Sequence, residues 1–450
     1  MKQLTWQLKN NLIEIDHKGN YIPELAENWE AKTGAKEWIF KLRKGVEFHN
    51  GKSFSANDVI YTLNLHRGEN SKSKVKVLLS GVDDLEALDS HTVMIKLKDG
   101  DVDFPGILTD IHLAIQCEGD DEFKYGTGGY MLEAFEPGVR SIAKRNPNYW
   151  KQGRAHFDSV ELLAIPDANS RSNALVSGQI NAYDNCDLKT IHLLKGKKNV
   201  NIIQATGKRF FSFPMNCEIA PYNDPDVRMA LKLAIDRENL LKAILKGYGA
   251  IGNDFPINAV YADYVPGVPQ TPHDPGKAKY LLKKAGAQDH IFKLHAADAA
   301  FQGAIDTGIL MKEHAAKAGM KFEVVRVPND GYWSNVWNKK PFSASSWAGR
   351  ATANMIFTSA LYSKAKWNAS RWKNKRFDEL LIRSRTELDR AKRRDMYFEM
   401  QTLINQDGGF LVPLFADFID AVDKNVGFGD ISGVYELDGQ RASERWWFKS

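Results

Sequence analysis

Three stretches, "FKLHAAD", "AIDTGILMKEHAAKAG" and "KFEVVRV", follow one another between Phe292 and Val327 and read as strand, helix and strand. Such a unit sets two strands side by side with a helix laid over them, so the chain falls in the α/β class. Longer helices surround this unit. Asp224-Pro225 and Asp274-Pro275 each place a capping acid before a proline at the first helical position, and Gly286 closes the second of these helices. Two amphipathic stretches, from Arg376 to Arg385 and from Asp389 to Gln406, precede the extended run "GGFLVPLF".

The part before Pro214 has a different character. "EWIFKLRKGVEF" alternates like a strand pair, and Asn50-Gly51 in "HNGKSF" supplies a turn signal. Ser55 and Asp58 mark a helix start and Gly68 its stop. "TVMIKLK" and "SVELLAI" read as further strands, and "SNALVSGQINAYD" reads as a helix ending near Gly178 followed by a strand. The expected organisation is a mixed first lobe, a helix-richer second lobe, and a strand-rich tail that rejoins the first.

At 450 residues the length fits about two or three domains. The net charge of +5 is too small an excess to resemble a nucleic-acid-binding patch, and no run approaches the roughly 18 apolar residues of a membrane span. The start, "MKQLTWQLKNNLIEID", lacks the apolar core of a secretory signal. That leaves a mature or truncated chain, or a cytoplasmic protein. Cys117, Cys186 and Cys217 permit at most one bridge and show no metal spacing.

Motifs for chemistry are few. "GYGAIG" carries the spacing of a dinucleotide loop but follows the helix "ENLLKAILK", so Gly247 reads as a helix C-cap. Glu313 and His314 have no second histidine at helical spacing and read as surface. No nucleophile elbow, phosphate-binding lysine motif or zinc motif occurs. Nothing in the chain requires catalysis, a cofactor or a metal.

In order along the chain, "PELAENWE", "IFKLRKGVEFHNGKSFSANDVIYTL", "YGTGGYMLEAFEPG", "NPNYW", "NDPDVRMALKLAIDRENLLKAILKGYG", "HDPGKAKYLLKKAG" and "VPLF" resemble the peptide/nickel class (family 5) of extracellular solute-binding proteins of ABC importers. The resemblance covers essentially the whole chain. It implies a two-lobed periplasmic-binding-protein fold of class II type, with the extra subdomain of peptide-binding members and a hinge between the lobes. Lobe I is expected over residues 1–213 and 414–450, with the inserted subdomain at roughly 22–165, and lobe II over 214–413. The crossings are placed near Lys208–Asn216 and Val412–Asp420. The implied partners are a small solute in the interlobe cleft and a membrane-embedded permease. The implied state is a periplasmic monomer with its signal peptide removed, with no nucleic acid bound and no cofactor. The solute is expected to be a short peptide or a peptide-like or opine-like acid; an anionic metal chelate or haem is the alternative, and a hydrolase on the same scaffold a remoter one.

The sequence departs from the family in two places. Relatives carry a further stretch with a first strand before the segment matching "NNLIEID", so the amino terminus is expected to be truncated. Peptide-binding relatives also place an aspartate a few residues after the tryptophan, where this chain reads Trp347-Ala348-Gly349-Arg350-Ala351-Thr352-Ala353-Asn354, without an acid. Arg350 then either contacts an acidic ligand through its bidentate fork or forms an ion pair within its own lobe. Trp347, Phe211, Trp367, Asn368, Asp417 and Tyr332 are the other candidate ligand contacts. Trp333 and Trp337, one helical turn apart, read equally as core.

Overall fold

The computed structural model describes residues 2–68, 71–73, 75–120, 122 and 124–450. It divides into two units. The first comprises Met1–Ala205 with Phe418–Ser450, and the second comprises Thr206–Asp417.

In the first unit, Ser55 and Asp58 form the expected capping box, with the Ser55 N–H donating to Asp58 Oδ2 at 2.9 Å. The helix Ala56–Leu65 that follows buries Ala56, Val59 and Leu63. These residues belong to a core shared with an antiparallel sheet in the order Ala26–Ala31, Glu37–Leu42, Thr92–Leu97 and Val82–Asp89. The expected strand pair within "EWIFKLRKGVEF" is not found as such. Only Glu37–Leu42 is a strand, because Gly45 turns the chain in the left-handed region at φ 72°, and the second half contributes a single bridge, Glu47 with Ser53. Its neighbours instead come from Ala26–Ala31 and Thr92–Leu97. A second sheet holds Tyr130–Glu136, Arg140–Arg145 and Ser159–Leu163. A third places Phe418–Asp423 between Ala182–Tyr183 and Val200–Ala205, so the tail completes this unit.

A buried ion network ties the tail to the front of this unit. Lys151 Nζ lies 2.7 Å from Glu14 Oε2, 2.7 Å from Glu24 Oε1 and 2.9 Å from Glu444 Oε1. Arg441 Nη1 adds contacts to Glu24 and Glu444 at 2.8 Å, and Arg445 bridges Glu14 at 2.5 Å and Asp438 at 2.8 Å. Burial alone would raise the Glu14 and Glu444 carboxyls. The facing cations outweigh it, holding Glu14 well below the usual carboxylate range and Glu444 at about 2.

The second unit is built on an antiparallel sheet in the order Gly249–Ile251, Phe410–Ala416, Phe210–Pro214 and Ser345–Trp347. Every residue of Phe410–Ala416 is buried. This pairing accounts for where the units divide. Phe210–Pro214 lies inside the second unit's sheet, so the divisions fall at 205/206 and 417/418 rather than at 213/214 and 413/414. The strand–helix–strand stretch forms as Ile291–Ala296 and Lys321–Arg326, paired in parallel, with the helix Ala304–Lys317 between them in sequence. Asp224 and Asp274 cap the helices Pro225–Ala234 and Pro275–Lys284, and Gly286 takes φ 65°. Gly247 closes the helix Arg237–Ile244 with φ 85°, its N–H donating to the Leu241 carbonyl at 3.2 Å.

One expected surface residue is not on the surface. His314 is buried, with its Nε2 2.9 Å from Asn239 Oδ1, because the helix Ala304–Lys317 packs this face against Arg237–Ile244. Among the described residues, no helix is long and apolar enough to cross a membrane and no group of three or more His, Cys, Asp or Glu side chains could hold a metal ion. Cys117, Cys186 and Cys217 are free thiols.

Candidate functional site

The strand Ser345–Trp347 forms one edge of the second unit's sheet and puts Trp347 opposite Phe210. The two rings stack at 6.5 Å with 7° between their planes, and Trp347 is 8% exposed. The chain then turns at Gly349. Its φ of 86° favours glycine, and a Cβ there would collide with Lys208 Cβ and lie 3.0 Å from Tyr261 Oη. The next element is fixed by Thr352, whose Oγ1 accepts the Met355 N–H at 3.0 Å and caps the helix Ala353–Ala360. Ile356 and Phe357 of that helix are wholly buried, so the loop Ala348–Ala351 is held at both ends by core.

Arg350 sits in the middle of this loop, half-buried. Its amide donates to Tyr261 Oη at 3.0 Å and its Nη1 to the Gly349 carbonyl at 2.7 Å. The guanidinium carbon lies 5.1 Å from the ring centre of Trp347 and 5.8 Å from that of Trp367. Among the described residues no carboxylate comes within ion-pairing distance of it. The internal ion pair, one of the two sequence readings, therefore finds no partner here.

The structure brings three of the candidates together: Trp347, Arg350 and Trp367. Trp367 is 50% exposed and meets Trp347 edge to face at 6.2 Å. Trp333 and Trp337 extend the row, with ring centres 5.7 Å apart and Trp337 6.3 Å from Trp347. Trp337 packs on the core, while Trp333 is largely exposed.

The other candidates stand differently. Asn368 is 1% exposed, and both ends of its amide are engaged. Nδ2 reaches the Trp372 carbonyl at 2.9 Å and the Leu361 carbonyl at 3.3 Å, and Oδ1 accepts from Ser370 Oγ at 2.8 Å. It clamps its own loop and has no ligand-facing group to offer. Tyr332 is likewise committed, its hydroxyl donating to the Ala344 carbonyl at 2.7 Å, and burial pushes that phenol above its ordinary range. Phe211 is buried in a close stack on Phe301, 3.8 Å between centres. Asp417 is buried at the end of the unit, where its carbonyl accepts from Arg209 Nη2 at 2.5 Å. In the sheet Phe211 lies opposite Ser346, the residue before Trp347.

Sequence reasoning passes over Lys208 and Tyr261. Lys208 is only 5% exposed, with its Nζ donating to the Ala351 carbonyl at 2.8 Å and lying 4.4 Å from the Tyr261 ring centre. Neither residue sits in a pattern that would flag it, since the loop they hold comes about 90 to 140 positions later in the sequence.

Residues 20–369 match the model for the bacterial extracellular solute-binding proteins, family 5. The dipeptide-binding protein of Escherichia coli K12 is 24% identical over 461 residues, covering 93% of this chain and 85% of that protein. A glutathione-binding protein of the same organism is 26% identical, covering 92% and 84%. The solved structure of the PBP AgaA in complex with agropinic acid, from A. tumefacien R10, superposes with a TM-score of 0.82 at 22% identity, covering all of this chain and 94% of that one. With the family model spanning well over half of its length, the chain belongs to the bacterial extracellular solute-binding proteins, family 5.

Proposed function

We propose that this solute-binding protein captures a small solute bearing a carboxylate, either a short peptide or an opine-like acid, and hands it to a membrane-embedded ABC permease. In this reading it works as a periplasmic monomer without catalysis. The observation that carries the proposal is Arg350, a guanidinium lying against two tryptophan rings with no carboxylate partner among the described residues. A guanidinium offers two parallel N–H donors that match a carboxylate, and the flanking rings offer flat apolar surface to the rest of the solute. The relatives agree in kind, since proteins for dipeptides and glutathione and a complex with agropinic acid are all similar to this chain. Trp347, Arg350 and Trp367 are the contacts proposed, with Phe211 on the neighbouring strand of the same sheet.

The test is a thermal-shift and calorimetric screen with dialanine, acetyl-dialanine, dialanine amide, agropinic acid and an anionic nickel–EDTA chelate. A solute at about one hundred times its dissociation constant adds about 2.7 kcal/mol of stability. Arg350→Ala should weaken binding of the best acid about ten- to a hundredfold, from the roughly 1.5–3 kcal/mol of a charged hydrogen bond. Arg350→Lys should restore only part of it. A screen in which no acid raises the melting temperature, or in which Arg350→Ala binds as the wild type does, refutes the proposal.

A further inference from the structure

The loop that carries Arg350 is held from one side by a buried amine. Lys208 Nζ donates to the Ala351 carbonyl, its ammonium lies over the Tyr261 ring, and the Tyr261 hydroxyl in turn accepts the Arg350 N–H. Gly349 closes against the Lys208 side chain, where no larger residue would fit. Lys208 is therefore bound to both flanks of Arg350 without touching its guanidinium. A fully buried lysine ordinarily has a carboxylate beside it. Among the described residues none lies within ion-pairing distance of Lys208. The charged group acting on it is Asp263, itself 3.4 Å from Arg393 Nη2.

We propose that Lys208 is a positioning residue for Arg350, and that its ammonium supplies a second positive charge favouring an acidic solute at this loop. The charge part rests on the reading of Arg350 given above; the positioning part does not. Keeping a charge buried in this way has a consequence for pH. Burial lowers Lys208 to about 8, with Asp263 opposing the shift. A bound carboxylate nearby would hold the proton more tightly. Affinity for the acid should then be full below about pH 8 and fall as pH rises through that value, by about tenfold for each unit the bound solute adds to the amine's pKa.

The experiment uses acetyl-dialanine, a carboxylate without an ammonium, titrated into the intact protein at pH 7.0 and pH 9.5. Wild type, Lys208→Met, Lys208→Arg and Arg350→Ala are compared. Hydrogen exchange at the Arg350 amide is measured on each without solute. Lys208→Met keeps the buried volume and removes the donor and charge, so its Arg350 amide should exchange about tenfold faster. It should bind about tenfold more weakly at pH 7.0 and lose the pH dependence. Lys208→Arg, which cannot lose its proton in this range, should bind without pH dependence as well. Wild-type exchange at Arg350 in Lys208→Met would overturn the positioning role. A wild-type pH profile in that variant would overturn the charge role. Unchanged affinity in Arg350→Ala, or no binding by the wild type, would instead sink the reading of Arg350 as the acid contact. The exchange result would still decide the positioning role.

Discussion

Replacing Lys151 with methionine tests how the first unit is held together. Lys151 is the only residue of its network that contacts three carboxylates at 2.9 Å or less, those of Glu14, Glu24 and Glu444, and its side chain is 13% exposed. With it in place, four carboxylates (Glu14, Glu24, Glu444 and Asp438) face three cations (Lys151, Arg441 and Arg445). Methionine fills much of the same volume, so little packing is lost, but two carboxylates are then left without a compensating charge. Removing one partner from a buried ion pair costs roughly 3–5 kcal/mol, because the remaining charge has neither water nor a counter-ion. Distance alone does not set this figure. Lys373 lies 2.5 Å from Glu218, yet both side chains are more than half exposed, and pairs of that kind contribute about 0–1 kcal/mol. Urea unfolding of the intact protein should therefore show Lys151→Met losing about 3–5 kcal/mol at pH 7 and Lys373→Met almost nothing. The wild type and Lys151→Met should also respond to pH with opposite signs. In the wild type the carboxyls of Glu14 and Glu444 are held low, so their stabilisation is present above about pH 4.5 and is lost as pH falls toward 2. In Lys151→Met, burial without the cation should raise a carboxyl above its unfolded value. The defect should then shrink as pH is lowered from 7 to 5. A loss below about 1 kcal/mol, or an equal loss at pH 5 and pH 8, would refute this account.

Two further substitutions probe other parts of the fold. Asp420 is buried and raised to about 7, first by burial and then by Asp184 and Glu436, so its folded value exceeds the unfolded one. Stability should fall as pH rises from about 4 to 7, by on the order of 4 kcal/mol at most, and Asp420→Asn should flatten that slope in melting curves taken across the window; an unchanged slope would count against it. Gly128→Ala would drive a Cβ into the backbone of Gln7 and Leu8, displacing the helix Lys2–Leu8. A stability loss of roughly 1–3 kcal/mol is expected in urea unfolding, and a silent substitution would show that this approach is not fixed.

The features that could be read from the sequence are those whose causes are local. Ser55 and Asp58, Asp224-Pro225 and Asp274-Pro275 announce helix starts because a capping side chain reaches only two or three residues along its own chain. The strand–helix–strand unit follows from hydrophobic periodicity, which is equally local. Arg350 could be singled out because an acid expected near Trp347 is missing from the adjoining residues. What the sequence could not decide are the pairings between distant segments. Phe210–Pro214 belongs to the second unit because Ser345–Trp347 and Phe410–Ala416 lie beside it. Tyr332 looked available for a ligand, but its hydroxyl is taken by the Ala344 carbonyl, which only the folded chain brings near; Asn368 is taken up within its own loop. Lys208 reaches a carbonyl 143 residues away, and Arg441 reaches a carboxylate 417 residues away. Whether a buried charge is paired depends on which segments fill the space around it, and that is settled only when the chain packs.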